Sequence, residues 1–133
     1  MAGLYTHGLQ EILGGNIDLI NDDIMAVLVS GYTPDLENDR AQSGIPEGSQ
    51  VIEVSLTGKT LDGTRYLADD VEITNLTGSQ EISGVVVLQA VEDLDDSTLI
   101  AFLDGTGFPF LPDGSPITIH WDRSEGGPGI FKI

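Results

Sequence analysis

The tetrapeptide 57-TGKT-60 sets glycine, lysine and threonine in the order that ends a phosphate-binding loop. Such a loop needs another glycine five residues before its second one, so that backbone amides can close around the phosphate. That position is Glu53, and no helical pattern follows Thr60, so a nucleotide site is not expected. Paired carboxylates occur at Asp22-Asp23, Asp69-Asp70 and Asp95-Asp96. Calcium draws several oxygen ligands from one compact loop, and the nearest fit is Asp93, Asp95, Ser97 and Asp104. Thr98 stands where that loop turns on glycine, and Asp104 stands where a longer glutamate is usual. The run 98-TLIAFL-103 reads as a strand, which would pull these ligands apart. Solvated turn carboxylates are the expected reading, with no metal and no cofactor.

His7 and His120 are the only histidines, too few for a His-rich zinc site, and no HExxH spacing occurs. Cysteine is absent, which excludes disulfides and thiolate zinc sites. No nucleophile elbow of the GxSxG kind is present. Two carboxylates can cleave a glycosidic bond, but among 22 acidic residues finding a pair carries no information. No catalytic residue is assigned and no enzymatic activity is expected.

Charge narrows the partners. Five Lys and Arg stand against 22 Asp and Glu, for a formal net charge of −17. Phosphate backbones demand a basic face. Arg40, Lys59, Arg65, Arg123 and Lys132 are scattered, so no nucleic acid is expected as a partner. An anionic membrane would be repelled as well. The longest apolar run, 84-GVVVLQAV-91, is strand-sized, far short of the roughly 18 residues of a membrane helix. The opening 1-MAGLYTHGLQEILGG-15 has neither a basic leader nor a long apolar region, so no signal peptide is expected.

The elements that must position any site are mostly strands. In 3-GLYTHGLQEIL-13, Leu4, Tyr5, Leu9, Ile12 and Leu13 recur at helical spacing, and 14-GG-15 ends the pattern. Gly8 weakens this helix. Strand patterns follow at 24-IMAVLVS-30, 50-QVIEVSL-56, 65-RYLADDVEI-73 with a bulge at its double Asp, 84–91, 98–103, 117-ITIHW-121 and 130-IFKI-133. Asp-Gly turns occur at 61-LDGT-64, 103-LDGT-106 and 112-PDGS-115. The stretch 31-GYTPDLENDRAQSGIPEGS-49 reads as a long loop, and such loops are usually functional or mobile. Ile117, Ile119 and Trp121 should share one face, opposite Thr118 and His120. The last strand should return against 117–121 through 122–129 and bury Phe131 with Ile133. The expected fold is a single all-β domain over 1–133. It is an antiparallel β-sandwich, jelly-roll or Ig-like, of about seven or eight strands, with a helical segment or arm at 1–15 ahead of the sandwich at 16–133.

Several stretches, in order, resemble a family of small virion structural proteins of tailed bacteriophages. They are 3-GLYTHGLQEILGGNIDLINDDIMAVLV-29, 43-SGIPEGSQVIEVSLTGKT-60, 69-DDVEITNLTG-78 and above all 98-TLIAFLDGTGFPFLPDGSPITIHWDRSEGGPGIFKI-133. The likeness spans nearly the whole chain. It departs at the turn 44-GIPEG-48 and the acidic strand 67-LADDVEI-73, and is loose over 79–94.

The resemblance implies a particle component without enzymatic function. The leading expectation is a head decoration, or cement, protein, made in the host bacterial cytoplasm. It would sit on the outer face of the major capsid protein lattice as a homo-oligomer, dimer or trimer. A tail- or fibre-base-associated structural protein and a carbohydrate-binding host-contact module are the alternatives. On the decoration reading, three elements are candidate contacts. They are the N-terminal segment (Tyr5, Leu9, Ile12), the 31–49 loop (Tyr32, Leu36, Ile45) and the loop carrying Phe108, Pro109 and Phe110. Each has a plainer alternative as cover for the core. The N-terminal segment, as an arm, is expected to be removable without unfolding the domain.

Overall fold

The computed structural model describes residues 3–74, 76, 80–93, 96–105, 108–121 and 129–132. The chain forms strand β1 (Gly3–Leu4), helix α1 (Thr6–Leu13), β2 (Ile24–Val29), β3 (Gln50–Ser55), β4 (Thr60–Asp62) and β5 (Arg65–Leu67). It continues through β6 (Val71–Ile73), β7 (Gly84–Gln89), β8 (Thr98–Leu103), β9 (Ile117–Ile119) and β10 (Phe131–Lys132). A five-stranded antiparallel sheet runs β1-β8-β7-β2-β3, beside a three-stranded sheet β10-β5-β4 and a pair β6-β9. The expected all-β, sandwich-like fold is found. No helix among the described residues is long and apolar enough to cross a membrane.

The central strands of the large sheet are buried on both faces. Ile24, Ala26 and Leu28 of β2, with Val85 and Val87 of β7, join one core against the two small sheets, where Tyr66, Val71, Ile73, Ile119, Trp121, Ile130 and Phe131 meet them. The alternate residues Val27, Val29, Val86 and Leu88 join a second core, closed by Tyr5, Tyr32 and Ile45. That explains why β2, β7 and β8 read as unbroken apolar runs.

Helix α1 packs on β8 at a bulge. Leu99 pairs with Leu88 and Ala101 with Val87, leaving Ile100 as the extra residue. The Ile100 carbonyl accepts the backbone N–H of Tyr5 at 2.9 Å. Gly8 faces the same spot, where a Cβ would lie 2.1 Å from the Leu99 carbonyl oxygen. The glycine that weakens the helix in isolation is what lets it approach the sheet. Tyr5 is fully buried, so the segment 3–13 is packed into the domain and is not a removable arm.

Two strand expectations are corrected. The run 65–73 is not one bulged strand. It divides into β5, paired with β4 and β10, and β6, paired with β9. The bend falls at 68–70, where Asp69 is tied by three contacts. Its N–H donates to the Thr57 carbonyl at 2.8 Å, its carboxylate accepts from Thr57 Oγ1 at 3.2 Å, and its carbonyl accepts from Trp121 Nε1 at 3.0 Å. Nor does the final strand return against 117–121. β10 pairs with β5, joining Phe131 to Tyr66, whose rings lie 5.2 Å apart. Residues 122–128 and Ile133 lie outside the described residues. The strand β4 carries no apolar alternation, and Leu61 is exposed, so nothing in its pattern marked it.

Two substitutions test this packing. Gly-to-Ala within a helix ordinarily stabilises by about 0.5–1 kcal/mol. Gly8→Ala should instead lower the melting temperature, because the new methyl group would overlap backbone that cannot yield; a rise would mean that α1 sits clear of β8. Phe131→Ala should cost about 3–5 kcal/mol in urea unfolding. Removal of residues 130–133 should abolish cooperative melting, and a truncated chain melting like the full one would refute the role given to β10.

Candidate binding surface

The 31–49 segment is a cover, held by a chain of hydroxyls. Tyr32 Oη donates to Asp39 Oδ2 at 2.6 Å and lies 2.9 Å from Tyr5 Oη. Asp39 also accepts the Asp35 N–H at 3.0 Å. Two short 3-10 turns, Gln42–Gly44 and Glu47–Ser49, carry the segment to the start of β3. Tyr32 and Ile45 are buried and Leu36 is half-buried against the second core. Among the candidate contacts, Tyr5, Tyr32 and Ile45 are therefore core residues with no side chain to offer a partner. Leu9 and Ile12 are partly exposed on α1.

The 108–110 loop folds inward. Ile82 and Phe110 exchange backbone hydrogen bonds of 2.8 and 3.1 Å. The Phe108 and Phe110 rings lie 5.6 Å apart and rest on the first core, while Pro109 is exposed. Among the described residues, the large apolar side chains that do face solvent are Leu13, Leu61, Val91 and Leu111. Sequence patterning passed over Leu61, Val91 and Leu111, because isolated exposed aliphatics have no period to reveal them.

The phosphate-like motif has a structural task. Gly58 adopts φ +63°, and a Cβ there would meet the Asp69 carboxylate at 2.3–2.5 Å. Its neighbour Lys59 donates through Nζ to the Asp22 carbonyl. The motif clamps the bend between β5 and β6 and anchors the 16–23 turn. His120 Nδ1 lies 2.9 Å from Asp70 Oδ2 on the exposed side of the small sheets, and His7 lies 3.8 Å from Glu11. Of the calcium candidates, Ser97 is buried and accepts the Val91 N–H, Asp104 lies beyond the far end of β8, and Asp95 is outside the described residues.

Three turn aspartates are held more acidic than usual. The Asn21 side chain holds the Asp18 carboxyl below its usual value, Asn38 does the same for Asp35, and the Ser115 N–H does so for Asp113. Each is a turn aspartate capped by a residue two or three places on.

One concavity stands at the margin of the large sheet. A pocket of about 450 Å³ is lined by Gln42, Ile45, Glu47, Gln50 and Glu53, among others. Gln42 is 2% exposed and donates through Nε2 to Gln50 Oε1 at 2.8 Å and to Glu53 Oε1 at 3.3 Å. Gln50 Nε2 donates in turn to the Ile45 carbonyl at 3.0 Å. Gln42 Oε1 is buried without a hydrogen-bond partner. Turning the Gln42 amide over would set oxygen against Gln50 Oε1 and the Glu53 carboxylate, so the network fixes its orientation. Nothing in the Gly- and Pro-rich sequence around Gln42 signalled a buried amide.

The buried hydroxyls give a spectroscopic test. The chain has three tyrosines, and burial raises the pKa of all three, that of Tyr5 to about 12. A pKa raised on folding adds stability that is complete below the unfolded value of about 10 and is lost as pH climbs through the folded value. Tyrosinate absorbance should stay flat through pH 10 and then rise together with unfolding. A reversible titration near pH 10 in the folded protein would show at least one tyrosine in solvent.

Comparison with protein-family models, with curated proteins and with solved structures finds no match for this chain.

Proposed function

We propose that this chain is a structural protein of a tailed-phage virion, a head decoration protein that binds the outer face of the major capsid lattice and stabilises it. The observation that carries the reading is the ordered likeness of 3–29, 43–60, 69–78 and 98–133 to that family of virion proteins. Several contacts that lock the domain fall within those stretches. They include Gly8 against β8, the 57–60 turn against Asp69, and β10 against β5. A net charge of −17 keeps crowded copies apart and suits an exterior position, away from packaged DNA.

On this reading the protein does its work by binding alone. Packed DNA strains the shell at junctions between capsid subunits. A protein that binds only the expanded arrangement stabilises it by mass action. Shape and apolar contact supply affinity, and charge sets approach and orientation. With Tyr5, Tyr32 and Ile45 committed to the core, the contact falls to the outer side chains of α1, to Pro109 and to Leu111.

Quantifying the chain in purified particles tests this. A fixed ratio to the major capsid protein, with binding to expanded but not unexpanded heads, is the expected result. A ring's worth of copies at the tail would replace decoration by a tail-associated function. Selective glycan binding by the isolated domain, without particle binding, would replace both by a carbohydrate-binding module.

A further inference from the structure

Strand β3 is an edge of the large sheet, and its outward groups can be assigned. The Leu56 N–H donates to the Ile24 carbonyl, which makes residues 24 and 56 a hydrogen-bonded pair. Such pairs alternate along an antiparallel ladder. Val54 opposite Ala26 and Ile52 opposite Leu28 therefore spend their backbone groups on β2. Glu53 and Ser55 turn both N–H and C=O away from the sheet. The bulge at Val51 and the Thr57–Asp69 contact bound this free stretch on either side.

Glu53 links this edge to the pocket. It lies opposite Val27, on the face covered by the 31–49 segment, where its carboxylate meets Gln42. A strand added antiparallel to β3 would set one residue directly opposite Glu53, with its side chain on the same face. That side chain would reach the pocket that Gln42, Gln50, Glu47 and Glu53 line. The pocket offers two carboxylates, those of Glu47 and Glu53. A cation rich in N–H groups matches these acceptors.

We propose that the β3 edge and this pocket together seat an extended segment of another protein that carries Arg or Lys opposite Glu53. A second copy of this chain fits poorly. Its own β3, 50-QVIEVS-55, has no cation to enter the pocket, and each copy adds a charge of −17. The inference holds whichever protein supplies the segment, so it stands or falls apart from the capsid reading.

The full chain, labelled with ¹⁵N, can be titrated with acetyl-Thr-Val-Arg-Val-Thr-amide and with analogues carrying Lys, Gln or Glu at the centre. The Arg and Lys peptides should shift the Glu53 and Ser55 amides and slow their hydrogen exchange, with dissociation constants of about 1 mM. The Gln and Glu peptides should bind at least several-fold more weakly, and acetyl-arginine-amide alone should shift pocket resonances without slowing exchange. Glu53→Gln should weaken the Arg peptide several-fold. Ser55→Pro removes an outward N–H and no β2 hydrogen bond, so it should keep the fold and lose the exchange protection. No shift at these amides at about 10 mM Arg peptide, or equal binding of the Arg and Glu peptides, overturns the proposal. So does a dimer in sedimentation with β3 protected, because the occupant would then be a second copy.

Discussion

Everything in this domain answers to one requirement: the central strands have no polar face. β2, β7 and β8 present apolar side chains above and below the sheet, so two separate layers must cover them. Below, the layer is made of two small sheets that share neither strands nor register. Above, it is irregular chain, in which Tyr5, Tyr32 and Ile45 supply the apolar mass. Irregular backbone can lie over a core only if its polar groups find partners. The Leu36, Arg40 and Ile45 carbonyls accept from the Thr6 N–H, the Leu99 N–H and Gln50 Nε2, and the Gln42 N–H donates to the Ser97 carbonyl, which meets that need.

The same requirement sorts what the sequence could reveal. The three central strands are plain in 24–30, 84–91 and 98–103, because double-sided burial leaves an unbroken apolar run. The Asp-Gly pair at 62–63 is equally legible, since Asp62 and Arg65 flank a two-residue hairpin turn with Gly63 at φ +64°. Partnership was not legible. Alternation tells which face a side chain takes, not which strand lies alongside. The division of 65–73 between two sheets and the pairing of Phe131 with Tyr66 are therefore absent from the pattern. The 31–49 segment was misleading in composition, because its few apolar residues are spaced to suit a surface already in place and follow no period of their own.

The candidate contacts show the same limit. Tyr5 stands in the helical pattern of 3–13, yet it precedes α1 and turns inward, because its N–H is bound to the bulged Ile100. Phe108 and Phe110 look like an exposed aromatic pair until Ile82 is seen to draw them onto the core. The polar features behave in the opposite way. Gln42 and Glu53 lie eleven residues apart in loop and strand, with nothing to connect them on paper, and the edge of β3 brings them together.

The first and last strands lie in different layers. β1 is laid beside β8, made almost a hundred residues later, and β10 beside β5, made more than sixty residues earlier. Neither sheet containing a terminal strand can be completed by a growing chain until its distant partner has emerged. During synthesis the lower layer over β2 and β7 stays incomplete until residue 131 is released. Long-range pairing of this kind folds slowly and leaves strand edges open to wrong partners. Strong negative charge then has a value earlier than any task of the finished protein, because it holds neighbouring nascent chains apart while their sheets are still open.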